Sequence, residues 1–499
     1  MQIACGIKIT PIPFRKTLRQ NKKVSLVLKP FLPLLQGSEN EVRCALTVLR
    51  LAYIRRCPPT IDLRPIVDPP KKNWSKIKLQ DFTSWLLFAK RNSKESPKQV
   101  KSILRGKYLG GLPKSMPRAV SGPNGSSSLF SAHYDAVAIQ GSDLHHSLKE
   151  FVRLSNCPTD LLESIDELAN WAKENTPVNQ KPRFTSRLTG ISEKGCKTRT
   201  IAIGDYYSQC YLWPLHQFLM KKLERLGIND GTYSQERVKE FSKLLTTSYE
   251  SYSFDLKSAT DRFPRSLQKI VLSIMINGDF AQAWEDVMVN SREFSVSSSS
   301  AIVKYGTGQP MGLYSSWAVF ALTHHIIVHY AAHLSGLKSF DKYCIVGDDV
   351  VICNKQVATQ YRKLITQLGV DIDFHKSLIS PRVPSSSEIC KSLFRNGRTL
   401  TPIPPDLMLQ CIRDVNLVTQ LKHWIGIEYA IPSDHLDLWA SFRFIYSHRR
   451  NQKKALILLT DPTFFKTGET QLLKPSEDII PNQDINAWEG IPVEEILRV

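Results

Sequence analysis

"YCIVGDDVVICN", residues 343–354, sets Asp348 and Asp349 side by side between two short apolar runs. The pattern predicts a β-hairpin whose tip carries Gly347, Asp348 and Asp349, with Val351 and Cys353 continuing the alternation. Two unpaired like charges about 4 Å apart repel by roughly 4 kcal/mol at an effective dielectric of about 20. A cation is the physical reason for keeping both carboxylates there. A lone G-D-D also suits a solvated turn, so the segments around it decide between the two.

Upstream, "SYSFDLKSATDRFPRSLQKIVLSIM" (251–275) alternates Tyr252 and Phe254 with serines, as a strand does, and then places Leu267, Ile270, Val271 and Ile274 at helical spacing after Pro264. Asp255 therefore falls at a strand end and Asp261 near a helix entry. Taken alone, either aspartate also suits a cap. If this strand lies beside the hairpin, the carboxylates converge into a set of oxygen ligands, which Mg²⁺ prefers and zinc does not. Two Mg²⁺ ions in such a pocket activate an attacking hydroxyl and stabilise a leaving pyrophosphate. Between the two aspartate segments, "GTGQPMGLYSSWAVFALTHH" (306–325) reads as a polar, glycine-rich loop entering an apolar helix. Gly308 and Gly312 allow close backbone approach to a sugar or phosphate, and Ser315 and Ser316 offer hydroxyls at the helix entrance.

"RLTGISEKGCKTRTIAIGD" (187–205) supplies Arg187, Lys194, Lys197 and Arg199. It misses a P-loop because Cys196 stands where a lysine must follow the second glycine, but these cations suit a triphosphate as point charges and forks. "LGVDIDFHKS" predicts a strand leading to Lys376, a candidate proton donor to pyrophosphate. "SLFRNG" (392–397) ends in Asn396-Gly397, a strong hairpin signal. His325, His329 and His333 share one helical face, but lack a neighbouring carboxylate or cysteine, and read as packing or hydrogen-bonding residues in preference to a zinc site.

The chain carries 66 Lys and Arg against 46 Asp and Glu, a formal net charge of +20, which suits a polyanionic partner such as nucleic acid. Its most apolar stretch, residues 317–334, contains four histidines, so no membrane span is expected. Ten scattered cysteines without a C-x-x-C argue against a zinc ribbon or a secreted disulfide framework. The first 38 residues hold seven basic and no acidic residues, the charge bias of an organelle transit peptide, yet "TPIPF" and "KPFLPLL" interrupt any long amphipathic helix. "SGPNGSSS" (121–128) reads as a flexible joint, and "TPIPPDL" (401–407) breaks the strand and helix pattern before a more helical tail.

"DLKSATDRFPRSLQ", "GQPMGLYSSWAVFALTHH" and "YCIVGDDVVI", in this order, resemble the palm and fingers of viral RNA-dependent RNA polymerases, and among them the mitovirus branch, over about Arg187 to Arg398. The resemblance implies an α/β (α+β) right-hand polymerase with fingers, palm and thumb, the palm built on an antiparallel sheet. Residues 1–120 would brace the fingers, 121–250 form fingers with a basic NTP-entry segment, 251–400 the palm, and 401–499 a mostly helical thumb. It makes Asp255, Asp348 and Asp349 the metal ligands for two Mg²⁺ ions, with Mn²⁺ as a substitute, and Lys376 the general acid. Lys197 and Arg199 would hold the NTP's triphosphate and base. Asp261 with Ser315 or Ser316 would read the ribose 2′-hydroxyl. Gly308, Gly312 and Arg395 would lie along template and product RNA.

The asparagine that many RNA polymerases carry after the serine or threonine is missing, so sugar selection rests on Asp261 and the serines. The implied partners are a single-stranded viral RNA template, nascent RNA and NTPs, with no capsid. The implied location is the host mitochondrion, with the host cytoplasm as the alternative. The N-terminal region is short for the family, as in a truncated or host-integrated copy. Two rivals stand beside this reading. A reverse transcriptase shares the palm, but would place a bulky residue where Asp261 suits a 2′-hydroxyl. An integrated relic would only bind RNA.

Overall fold

In the computed structural model, residues 31–404 are described apart from 36, 93–94, 116–119 and 176–182, with scattered residues as far as Leu417. They divide into two units, one of residues 55–401 and one of residues 31–54 with those from Pro402 onward. In the second unit a helix over Glu39–Arg50 starts at a capping box, where Ser38 and Glu41 satisfy each other's backbone N–H groups. Thr47 of that helix accepts the Ile403 N–H at 3.0 Å. The helical tail expected over 401–499 lies almost wholly outside the described residues.

The larger unit contains three sheets. Strands β1 (Ser186–Glu193) and β2 (Lys197–Gly204) form an antiparallel hairpin. Helices α1 (Tyr206–Glu224) and α2 (Gln235–Ser248) follow, then β3 (Ser251–Asp255) and α3 (Arg265–Met275), which starts immediately after Pro264. Strands β4 (Phe294–Val296) and β5 (Ile302–Val303) complete the first sheet in the order β2-β1-β4-β5. Next come α4 (Ser316–Leu334), the hairpin β6 (Tyr343–Val346) and β7 (Asp349–Ile352), and α5 (Lys355–Gln367). Strand β8 (Leu378–Ser380) closes the second sheet, β6-β7-β3-β8, in which every neighbouring pair is antiparallel. Strands β9 (Ser386–Ile389), β10 (Ser392–Arg395) and β11 (Arg398–Thr399) make the third sheet.

Period-2 alternation explains how the second sheet is buried on both sides. Tyr252, Phe254, Tyr343, Ile345, Val350 and Ile352 enter the main core, with α4 and α5. Cys344, Val346, Val351 and Cys353 pack instead with Val238 and Leu245 of α2 and with Ile389 and Phe394 of the third sheet. Helix α4 is almost wholly buried, as its continuous apolar character demands. Three of its four histidines are buried, His325 lying 3.0 Å from Asp230 and 2.9 Å from the Tyr343 hydroxyl and His329 3.0 Å from that hydroxyl, whereas the exposed His333 stacks on Trp85.

Two local readings change. The stretch 121–128 is not a free joint, because the Asn124 amide donates to Asp135 (2.7 Å) and the Phe184 carbonyl (2.9 Å) and its oxygen accepts the Phe184 N–H. The residues before Lys376 form a turn, in which the Asp373 carbonyl accepts from Lys376 and Ser377, so the strand follows Lys376. A disulfide joins Cys57 to Cys196 at the tip of the β1–β2 hairpin, a pairing that the scattered cysteines did not announce. Residues 55–69 run from that tip to Arg262 and Thr307, whose side chains donate to the Asp68 carbonyl. Among the described residues no helix is long and apolar enough to cross a membrane.

Candidate active site

The register of the second sheet brings the carboxylates together. Asp255 at the end of β3 sits directly opposite Asp349 at the start of β7, and Asp349 pairs in turn with Val346. Directly opposed residues of an antiparallel pair share a face, so the two aspartates belong to one side of the sheet. Between Val346 and Asp349 the chain turns in two residues, Gly347 and Asp348. Only Gly347 has a positive φ (+64°), the pattern of a type II′ turn with glycine first. The second turn position is thereby left to a residue with a functional side chain.

Charge accumulates at this tip. Asp348 remains open to solvent, but the dense protein around it, ahead of the charge of Asp255, pushes its pKa up; Arg199 and Lys376 oppose the shift. Asp349 is pushed up to about 7, by burial first and then by the charges of Asp348 and Asp255. Its Oδ2 accepts the backbone N–H of Cys390 at 3.1 Å. Asp255 meets a cation directly, Lys376 Nζ at 2.9 Å from its Oδ2, and Lys376 also reaches Asp373 at 3.4 Å. Burial alone would lower the pKa of Lys376, but the hydrogen bond to Asp255 and the charges of Asp255 and Asp373 raise it. Among the described residues no group of three His, Cys, Asp or Glu side chains is drawn close enough to hold a metal ion. The donor types still suit a hard divalent cation, because the charges of Asp255 and Asp348 push Asp349 up and an ammonium already occupies Asp255.

The remaining predicted residues fall at varied distances from this tip. Arg199, exposed on β2, pairs with Glu193 at 2.5 Å, and its charge is felt at Asp348. Lys197 is exposed one residue beyond Cys196. Asp261 lies in a short helix over Ala259–Arg262, where burial lifts its pKa to about 7 against a hydrogen bond from Tyr305 and the charge of Arg262. The two glycines approach the protein's own backbone. A Cβ on Gly308 would sit 2.2 Å from the Thr260 carbonyl oxygen, and one on Gly312 2.3 Å from that of Ala202. Ser315 turns its hydroxyl inward to accept from the Trp284 indole at 2.9 Å, whereas the buried Ser316 hydroxyl has no partner. Arg395 is exposed at the end of β10, beside the Asn396-Gly397 turn, whose two residues both have positive φ as a type I′ turn requires.

Sequence reasoning missed several contributors. Tyr305 and the Cys390 N–H act through partners about 40 positions away in the chain, and Glu193 through Arg199 across the β1–β2 hairpin. Cys390 and Lys391 form the β9–β10 turn with positive φ at both positions (+51° and +61°), yet contain neither Gly nor Asn to mark it. The hydrogen bond to Asp349 is one return for that strained conformation.

An antiparallel sheet that presents opposed aspartates at a hairpin turn, beside a glycine-rich loop and an apolar helix, has the organisation of a template-directed polymerase palm. The family model described as mitovirus RNA-dependent RNA polymerase matches residues 111–465, and the chain belongs to that family. The RNA-directed RNA polymerase of Cryphonectria parasitica mitovirus 1 is 39% identical over 197 residues, which is 39% of this chain and 24% of that protein. The matched part thus spans about a quarter of that relative's length. An uncharacterized mitochondrial protein of Arabidopsis thaliana is 37% identical over 161 residues, covering 31% of this chain and 77% of that protein. Among solved structures, the polymerase of a human picorbirnavirus aligns over 82% of this chain and 90% of its own at 13% identity, with a TM-score of 0.41.

Proposed function

We propose that this chain is an RNA-directed RNA polymerase that copies a viral, mitovirus-like RNA from NTPs. The observation that carries the reading is the register of Asp255 against Asp349 with Asp348 in the intervening turn. In this reading Asp255 and Asp348 hold the divalent ions with help from Asp349. Mg²⁺ is the natural ion and Mn²⁺ a substitute. A pair of such ions supplies charge stabilisation to the attacking 3′-oxygen and the leaving pyrophosphate.

The chain's own side chains do the rest. Lys376 keeps its proton at neutral pH beside Asp255, as a donor to pyrophosphate must. Lys197 and Arg199 draw in the triphosphate. Asp261 reads the 2′-hydroxyl, with Ser316 preferred to Ser315, whose hydroxyl serves Trp284. Gly308 and Gly312 act on RNA indirectly, by seating the loop that backs Asp261, while Arg395 faces product. Residues 251–400 act as palm, 121–250 as fingers, 1–120 as their brace and 401–499 as thumb. The template and nascent strand are single-stranded and newly made viral RNA, and the workplace is the host mitochondrion.

Labelled NTP incorporation on a single-stranded RNA template with Mg²⁺, comparing wild type with Asp348→Ala, tests the reading. Incorporation by wild type alone supports it. Equal activity in both, or a clear preference for dNTPs, overturns it.

A further inference from the structure

The reading above makes the turn that carries Asp348 the centre of the chemistry, and the following inference rests on it. A two-residue hairpin turn with glycine first has a close alternative: rotating its central peptide converts type II′ into type I′. Here that peptide joins Gly347 to Asp348, and its plane fixes the direction in which the Asp348 side chain leaves the backbone. Gly347 tolerates either form, whereas type I′ would also demand a positive φ at Asp348, which costs an aspartate about 1–2 kcal/mol, so the turn's own sequence favours type II′ only modestly.

A buried side chain from another element adds to that preference. His324, on α4, places Nδ1 2.8 Å from the Gly347 carbonyl oxygen. A carbonyl only accepts, so Nδ1 carries the proton. Burial keeps this imidazole neutral, with its pKa lowered to about 4. Nε2 is therefore an acceptor, and the Tyr361 hydroxyl, 2.6 Å away, donates to it. Tyr361, on α5, stacks on His324 with ring centroids 5.7 Å apart and on Phe254, the neighbour of Asp255, at 5.6 Å. From α4, Trp317 also packs on the turn: a Cβ on Gly347 would meet its ring at 2.3 Å, and its indole N–H donates to Thr232. Two residues of α4, one at i and one at i+7, thus hold the turn.

We propose that His324 is the positioning residue that locks the Gly347–Asp348 peptide in one orientation, with Tyr361 fixing its tautomer, so that Asp348 is presented to the reacting groups ready-made. The lock is neutral and dry. It spends no charge that would compete with the carboxylates.

The test uses the full chain and four substitutions, His324→Phe, His324→Asn, His324→Gln and Tyr361→Phe. Phe keeps the ring volume and removes both polar atoms. Asn places an amide N–H near Nδ1, whereas Gln places its amide near Nε2. The expected result for Phe is a fall in kcat of about 10- to 100-fold with the KM for NTP little changed, the size expected when one buried hydrogen bond to the turn is lost. Asn should recover most of the activity and Gln should not. Tyr361→Phe should show a smaller loss.

Hydrogen exchange across residues 346–350 gives a readout independent of any reaction, with faster exchange in Phe and Gln than in Asn and wild type. Full activity and unchanged exchange in a folded His324→Phe overturn the lock, as does rescue by Gln but not Asn. If Phe does not fold, the Asn and Gln pair decides. Wild-type protein that incorporates no nucleotide defeats the polymerase reading, and the exchange pattern still decides on the lock.

Discussion

Asp205 and Asp348 each stand among other carboxylates, and what answers their charge differs completely. Asp205 is wholly buried, its Oδ2 2.8 Å from Arg292 and its Oδ1 accepting the Ser208 N–H at 2.7 Å as the cap of α1. The nearby Asp135 accepts from Asn124 at 2.7 Å and from the Tyr206 N–H at 2.9 Å. At the hairpin tip, by contrast, Asp255 and Asp349 oppose each other across two strands with Asp348 beside them, and the only side-chain cation bonded to this trio in the described ion pairs is Lys376 on Asp255. The first cluster carries its answering groups within the fold. The second, in the ion pairs among the described residues, is answered by a bonded cation only at Asp255, as the proposed site for exchangeable cations and phosphates requires.

The largest effect that follows is on chemistry. Replacing Asp348 with Ala should lower nucleotide incorporation by about 10³-fold, the scale seen when one key electrostatic group is removed from a reacting centre. The melting temperature should hold or rise, because a repelling charge is gone. A large drop in melting temperature would erase the contrast with Asp205.

Next comes the converse. Arg292→Met leaves Asp205 buried without its cation and should destabilise the fold by roughly 3–5 kcal/mol in urea unfolding. Adding Asp205→Asn to that variant should recover much of the loss. If the single change costs under about 1 kcal/mol, the pair is no more structural than a surface bridge. Asn124→Ala sharpens the same side at lower cost: Asp135 loses one donor, and about 1–2 kcal/mol of stability should go with it.

The active cluster was the more legible of the two in the sequence, for a physical reason. Its aspartates are marked by local structure: the alternation of β3, the G-D-D turn, Pro264 opening α3 and the Asn396-Gly397 turn each need only neighbouring residues. The Asp205–Arg292 pair spans 87 positions, and nothing local announces it. The same limit hid the hold of Asn124 on Phe184, 60 residues away, so its Ser/Gly-rich surroundings passed for a joint. The alternation around Lys376 points to a strand before it, whereas the strand follows, because Asp373 uses its carbonyl to close a turn that the alternating pattern conceals. The inward rotation of Ser315 is equally invisible until Trp284 is in place.

The smallest expected effect is the most direct measure of unanswered charge. Asp349 has a folded pKa of about 7 against an ordinary value of 3.8, so between those values the folded protein holds a proton that the unfolded chain has released. Stability must then fall as pH rises from about 4 through about 7, the opposite of the usual salt-bridged carboxylate. Asp261, also near 7, contributes with the same sign and sets the background slope. Asp349→Asn should remove its own share, about 1 kcal/mol once solvent access is allowed for. Urea unfolding in chelator at pH 5 and pH 7.5 reads this difference. Parallel pH curves for wild type and Asp349→Asn would mean that the carboxylate already has an answering group, and the two clusters would then differ in position alone.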